Sequence, residues 1–314
     1  EFASLFDLSA LSNIKAPYIA GAVGAFGYDI NTSNDKIIDA NPTQYTLPDI
    51  SVGFYCSSLI YDNLLNTLYI FSIDQGFIDD SLTKINKLNF EDTAIASFSL
   101  EESWTSNLSQ QLYYEKFTKI ENYLRAGDCY QVNFAQRFSA QYEGSEWTAY
   151  LQLRKANKAP FSVFARLPNN TILSLSPERF LQVKEGKVET KPIKGTRKRN
   201  ADPTIDLKLA NELLNADKDQ AENLMIVDLM RNDLSKHCLP HSVKTPELFK
   251  LESYPAVHHL VSTVVGTLNS STNVYALLKG AFPGGSITGA PKIRAMQIIQ
   301  ELEIDKRSIY CGSI

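Results

Sequence analysis

Two short strand-like runs joined by a tight polar turn constrain this chain more than any other feature. Phe180-Leu181-Gln182-Val183 and Lys187-Val188-Glu189-Thr190 flank Lys184-Glu185-Gly186. Runs of that length around a glycine-bearing turn read as an antiparallel hairpin. A hairpin brings the residues just outside its strands to one open end. Those residues are Ser176-Pro177-Glu178-Arg179 on one side and Pro192-Ile193-Lys194-Gly195-Thr196 on the other. Glu178 and Lys194 are therefore expected together. A carboxyl group can protonate a departing hydroxyl, and a primary amine can attack carbon. Taken alone, Lys194 reads as a surface lysine in a turn, because Pro192 and Gly195 mark turns anyway. An ion pair between Glu178 and Arg179 is poorly placed, since adjacent strand residues point to opposite faces.

The rest of the chain extends the same pattern. Val52 to Tyr61 and Leu68 to Ile73 are strand candidates separated by Asp62-Asn63. The glycine-rich run Gly21 to Asp29 lacks the strand–turn–helix context of a nucleotide loop and reads as a packed β-segment. Residues 76–108 read as a polar connection with a short helix. Helical spacing of Leu112, Phe117, Ile120 and Leu124 predicts a helix over Gln111–Ala126, stopped by Gly127. Further helices are expected over Ala201–Ala216, Asp219–Leu234, Val274–Ala281 and Pro291–Glu301. Asp219 suits an N-cap, with Glu222 at the capping-box position. Tyr130 to Ala140 alternates like a strand. Hairpins with helices between them define an α+β class with antiparallel sheets. The expected division is a β-rich part over 1–100 and a catalytic region over 101–314.

Bulk properties exclude several functions. A chain of 314 residues buries a large core. A net charge of −4 argues against a general nucleic-acid binder. The strongest basic cluster runs through Lys194, Arg197, Lys198 and Arg199, and its last three residues read as a solvated loop. Cys56, Cys129, Cys238 and Cys311 are too far apart for a zinc motif or a disulfide framework. His237 and His241 have metal-like spacing, but Pro240 breaks a helical pair, so they read as structural. No long apolar run or signal peptide is present, so no membrane association and a cytoplasmic location are expected. Because the chain opens on Glu1 rather than methionine, a leader ahead of it stays open.

Seven motifs occur in a fixed order. They are Gly127-Asp-Cys-Tyr-Gln131-Val-Asn133, Ser176 to Phe180, Pro192 to Thr196, Ala221-Glu222-Asn223-Leu224, Asp228 to Leu234, His259-Leu260-Val261-Ser262 and Phe282 to Lys292. Together they resemble the signature of the chorismate-utilizing enzymes, from about Gly127 to the last residue. The resemblance implies two large, mainly antiparallel β-sheets packed face to face, with helices outside. It makes Glu178 the general acid toward the C4 hydroxyl of chorismate and His259 the active-site histidine. It makes Lys194 a nucleophile at C2, with Lys191 and Arg197 easing loss of its proton; a binding charge for a substrate carboxylate is the alternative. The Gly195 and Thr196 backbone would hold a carboxylate, and Lys292 would reach one. Glu222 would ligate magnesium, although a plain helix cap suits it too. Gln131 stands where isochorismate-forming members carry a water-activating lysine, which argues against that reaction; a solvent-facing strand position is its bland reading.

Anthranilate-forming members usually carry alanine where this chain has Lys194. The lysine therefore implies amination at C4 to 4-amino-4-deoxychorismate, in p-aminobenzoate and folate biosynthesis. The ammonia would come from a glutaminase partner, because the Gly-x-Cys-x-Gly nucleophile of such enzymes is lacking. The rival readings are anthranilate formation and a non-catalytic subunit that only docks the glutaminase. Family members continue beyond the position of Ile314, into strands that supply a tyrosine, an arginine, a glycine-rich loop and a second magnesium carboxylate.

Overall fold

A computed structural model of the protein describes residues 18–31, 37, 41–42, 47–88 and 96–314. The strand-and-loop reading of residues 1–17, 32–36, 38–40 and 43–46, and the middle of the polar connection at 89–95, lie outside the described residues. One compact unit comprises residues 1–26, 50–95 and 314, and a second comprises 27–49 and 96–313.

In the first unit, Gly21–Phe26 (β1) pairs antiparallel with Ile50–Tyr55 (β2), so the glycine-rich run is a strand. The segment expected as one strand over 52–61 breaks at Cys56. Its second half, Ser57–Asp62 (β3), forms a separate hairpin with Thr67–Ser72 (β4). Asp62 Oδ1 closes that turn by accepting from the amides of Leu64 and Leu65. Helix Gln75–Asn86 (α1) follows, its N-terminus capped by Asp74.

The second unit holds every candidate site residue. After the 3-10 turn Tyr28–Asn31 it continues with Phe98–Leu100 (β5), Thr105–Ser106 (β6) and the long helix Gln110–Ala126 (α2), which stops at Gly127 as expected. Next come Gln131–Val132 (β7), Phe138–Ser139 (β8), Tyr142–Gly144 (β9) and Glu146–Asn157 (α3). The single strand expected over 130–140 is absent in its middle because other groups satisfy that backbone. The amide of Asn133 donates to Thr288 O, that of Ala135 to Glu303 Oε1 and that of Arg137 to Asn107 Oδ1. Phe161–Leu167 (β10) and Asn170–Ser176 (β11) form a hairpin.

The predicted hairpin follows as Arg179–Lys184 (β12) and Lys187–Lys191 (β13). Ile193–Lys198 (β14), Pro203–Leu214 (α4), Asp217–Ser235 (α5), Lys244–Ser253 (β15) and Val257–Thr267 (β16) come next. Val274–Ala281 (α6), Gly289–Ala290 (β17) and Lys292–Leu302 (α7) complete the order. The class is α+β, and every ladder is antiparallel. The described residues form one five-stranded sheet from β12 to β16, while the other strands pair two at a time.

Strand β16 organises that sheet. It pairs with β13 through Val264–Thr267, with β14 through Val257–Val261 and with β15 along its other edge. β13 and β14 thus run along β16 one after the other, interrupted at Pro192, which has no N–H for a ladder. The Pro192 carbonyl still accepts from the Ser262 amide at 3.2 Å. Nearly all of β16 is buried, as its apolar sequence requires. Helix α5 packs on it through Ile226, Val227, Met230 and Leu234, whose spacing is that of one helix face. Asn223, on the same face and fully buried, donates to Leu260 O at 3.1 Å and accepts from Ser262 Oγ at 2.6 Å.

Helix α5 starts two residues before the expected N-cap. Asp219 is inside it and caps nothing; its carboxylate binds Arg197 Nη2 at 3.0 Å instead. Arg199 likewise holds Asp206 on α4 at 2.8 Å, so the basic run is braced by ion pairs rather than forming a solvated loop. No helix of the described residues is long and apolar enough to cross a membrane.

Candidate active site

The hairpin register fixes the site. Arg179 and Lys191 face each other at the open end of β12–β13, so Glu178 and Lys194 emerge from the same end. Arg179 turns to Glu189 at 2.6 Å, which leaves Glu178 without a competing arginine. Beyond Pro192, the β14–β16 register shifts between Ile193 and Thr196. Such a bulge takes its extra residues out of the ladder and re-aims a side chain. Here the residues released are Lys194 and Gly195. Gly195 has φ +87°, and a Cβ on it would lie 2.9 Å from both Asp219 Cβ and Leu213 Cδ1. Only glycine lets the bulge nest against α4 and α5.

Glu178 and Lys194 meet at a third residue. Ser286 Oγ donates to Glu178 Oε1 at 2.5 Å, and Lys194 Nζ donates to Ser286 O at 2.8 Å. Ser286 lies in the short 3-10 turn Gly285–Ile287. Asn133 Nδ2 also donates to its carbonyl, at 3.2 Å. The turn is wedged on α5: a Cβ on Gly285 would come within 2.4 Å of Leu229 Cδ2. Arg307, buried and paired with Glu303, donates to Ile287 O at 3.0 Å. Phe282, just ahead of the turn, sits edge-on to Phe180 of β12 at 6.1 Å.

Burial acts on the pair in opposite directions. It pushes the Glu178 carboxyl up, against the Ser286 hydroxyl, the Lys194 charge and the Ile193 amide. It pushes the Lys194 ammonium down, against the nearby charges of Glu178 and Glu222. The charged form is disfavoured in both, so the pair is biased toward a protonated acid and a free amine. Lys191 and Arg197 do not supply this effect as expected; Lys191 is held by Glu252 at 2.6 Å, and Arg197 by Asp219.

His259 enters from β16 opposite Thr196, with Nδ1 2.9 Å from Thr196 Oγ1 and its ring 5.7 Å from that of Tyr254. Its neighbour His258 faces the other way. His258 is clamped between Ser253 Oγ at 2.8 Å and Asp206 Oδ1 at 3.1 Å, and Arg199 neutralises that aspartate. This separates the two adjacent histidines by strand alternation alone.

Glu222 lies on the second turn of α5. Its side chain is 36% exposed, and its only ion pair in the described residues is a loose one, 3.8 Å to Lys218. No group of three or more acidic, histidine or cysteine side chains forms a ready metal cage among the described residues. A lone, open carboxylate nevertheless suits magnesium, which keeps waters and substrate oxygens in its shell. Gln131 on β7 does not face solvent: its Oε1 is buried without a hydrogen-bond partner.

Lys292 is the one expected site residue that the structure commits elsewhere. Its ammonium binds Asp233 at 2.5 Å and donates to Ala281 O at 2.8 Å and Pro283 O at 3.0 Å. Lys292 thereby ties the end of α6 to α5. Ser286, Asn133, Asn223 and Arg307 are parts of the site that the sequence reading left without roles. For Asn133, Asn223 and Ser286 the signal was present, because each lies inside one of the ordered motifs.

These elements define a class. A family model described as chorismate binding enzyme matches residues 2–314, and the chain belongs to that family. It is 49% identical over 299 residues to aminodeoxychorismate synthase component 1 of Klebsiella aerogenes, covering 95% of this chain and 65% of that protein. It is 47% identical over 308 residues to the protein of the same name from Escherichia coli K12, covering 98% of this chain and 67% of the relative. The chain thus spans about two thirds of the length of these relatives. Among solved structures, anthranilate synthase component I from Streptococcus pneumoniae TIGR4 superposes with a TM-score of 0.84 at 29% identity, over 96% of this chain and 69% of that one.

Proposed function

We propose that this chain carries the reacting groups for amination of chorismate at C4, giving 4-amino-4-deoxychorismate. The observation that carries the reading is the convergence of Glu178 and Lys194 on Ser286, with burial favouring the acid form of one and the amine form of the other. Similarity to the aminodeoxychorismate synthase component 1 relatives supports the choice of reaction.

The Lys194 lone pair forms a bond to C2. The two ring double bonds each shift one place toward C4, and the C4–oxygen bond breaks. Glu178 gives its proton to the departing hydroxyl, which leaves as water. Ammonia then bonds to C4, the double bonds return and the C2–nitrogen bond breaks, restoring the free lysine. Burial lowers the cost of both required protonation states, since each charged form would have to be desolvated. His259, with its ring pinned by Thr196, borders the bulge and offers a neutral proton donor or acceptor. Gly195, freed from the ladder by the bulge, and Thr196 beside it would present their backbone to a substrate carboxylate. Gln131 would contact substrate with its unpartnered amide oxygen. Glu222 would hold magnesium, which when bound neutralises the ring carboxylate. The ammonia would come from a separate glutaminase, the counterpart implied by the component naming of the relatives.

Product analysis tests the reading. The full-length protein with chorismate, ammonia and magnesium is expected to form aminodeoxychorismate without releasing pyruvate. Anthranilate with one equivalent of pyruvate would overturn it.

A further inference from the structure

Ser286 touches both reacting groups through two different parts of itself. Its hydroxyl bonds Glu178 Oε1 at 2.5 Å, and its carbonyl accepts from Lys194 Nζ at 2.8 Å. A serine hydroxyl has one proton to give. Given to Oε1, it makes that oxygen the acceptor and leaves Oε2 to carry the acidic proton. On the other side, a primary amine that donates one N–H to a fixed carbonyl has its lone pair turned away from that carbonyl. The direction of attack is then set by a backbone atom that no substitution at position 286 removes.

This carbonyl is unusually well fixed. Asn133 Nδ2 shares it at 3.2 Å, and the Asn133 amide holds Thr288 O at 2.8 Å. Thr288 Oγ1 reaches back to Gly284 O and Gly285 O, each at 3.2 Å. Arg307 pins Ile287 O, and α5 leaves no room behind Gly285. Four neighbours therefore hold one short turn, and the turn presents a single side chain to the acid. A surface loop has no need of such bracing, whereas a positioning element does.

We propose that Ser286 is a positioning residue for this pair: its hydroxyl selects the carboxyl oxygen of Glu178 that carries the proton and governs how readily it is released, while its carbonyl aims the Lys194 amine. The proposal rests on the amination reading for its kinetic test only. The other titratable groups whose charge couples to Glu178 are Lys194 and the Cys311 thiol. The hydroxyl opposes the upward push of burial on Glu178. Without it, the carboxyl holds its proton to higher pH and gives it up less easily.

The experiment compares full-length wild type, Ser286→Ala and Ser286→Thr with ammonia as the nitrogen source. Ser286→Ala is expected to lose about ten- to hundredfold in kcat, the scale of one hydrogen bond to a charged group, with KM for chorismate within about threefold. The low-pH limb of its rate profile moves to higher pH. Ser286→Thr, which keeps a hydroxyl, restores both. A second readout needs no turnover: the carbonyl stretch of 13C-labelled Glu178, assigned by its loss in Glu178→Gln, is followed against pH by infrared difference spectroscopy. It titrates at higher pH in Ser286→Ala than in wild type or Ser286→Thr. An unchanged carboxyl titration in Ser286→Ala overturns the proposal, as does a Ser286→Thr protein that titrates like alanine. A wild type that makes no aminodeoxychorismate defeats the functional reading instead, and the infrared titration still decides the role of Ser286.

Discussion

Thr196 and His259 face each other across the β14–β16 ladder, hydroxyl oxygen to Nδ1 at 2.9 Å. The contact spans the bulge that carries Lys194, so the histidine and the lysine are held by the same stretch of backbone. Burial lowers the imidazole pKa, against the smaller upward pull of Glu252 and the Gly195 carbonyl. Near neutrality His259 is therefore an uncharged ring with one fixed nitrogen.

That state can be read directly. In 15N NMR the His259 ring is expected to titrate below the ordinary histidine value of about 6.5. The sign for stability follows. The unfolded chain binds the extra proton first, so the contribution of His259 is complete above the unfolded pKa and is lost as pH falls toward the folded one. A His259 that titrates above the ordinary value would remove the uncharged donor from the scheme.

The acid and the amine together predict the shape of the rate profile. The reactive microstate of the proposed reaction has Glu178 protonated and Lys194 neutral. If the carboxyl titrates below the amine, kcat/KM rises with pH up to the Glu178 pKa, is level between the two and falls above the Lys194 pKa. Burial raises the first and lowers the second, so the level region is narrower than the span from about 4.3 to about 10.4 given by ordinary groups. Glu178→Gln is expected to cost about a hundredfold to ten-thousandfold in kcat. Its residual rate should climb without a low-pH break until the amine limb is reached. A Glu178→Gln enzyme with an unaltered profile would assign the low limb to another group.

The juxtaposition of Glu178 and Lys194 was legible because a hairpin is a local object: its turn residues and strand lengths fix which flanking residues meet. Glu185 and Gly186 both take positive φ there, as a tight two-residue turn requires. Most helices were legible for the same reason, within a few residues at each end, but Glu146–Asn157 carries no clear apolar stripe and was not expected. What failed was local pattern overruled by a distant partner. Asp219 had the look of a cap until Arg197 claimed it. Ser286 lies 108 residues from Glu178, and no periodicity reports a contact of that separation.

Asn223 gives a stability prediction independent of chemistry. It is fully buried and joins α5 to β16 through Leu260 O and Ser262 Oγ. Asn223→Ala removes the donor to Leu260 O and the acceptor of the Ser262 hydroxyl, and is expected to cost about 1–3 kcal/mol, with a further loss for the cavity. Because Asn223 adjoins Glu222, the same variant is expected to require more magnesium for half-maximal rate. Denaturant titration and a magnesium titration of the rate check the two effects. An unchanged denaturation midpoint would mean that water replaces the lost amide.

The lysine makes the sharpest prediction. In the proposed reaction, attack by Lys194 at C2, with loss of the C4 hydroxyl as water, would leave the ring bonded to Nζ until ammonia arrives. In the full-length protein, saturated with chorismate and magnesium but deprived of ammonia and glutamine, that adduct is expected to accumulate. Intact-mass measurement would show the protein heavier by one chorismate less one water. Peptide mapping would place the addition between Pro192 and Arg197. Lys194→Ala abolishes the adduct, and Lys194→Arg abolishes it too, because a guanidinium stays protonated and has no free lone pair. A lysine acting only as a binding charge predicts the opposite split: no adduct in wild type, and Lys194→Arg retaining most of the rate. An unmodified Lys194 peptide under these conditions would require a route to C4 that does not pass through this amine.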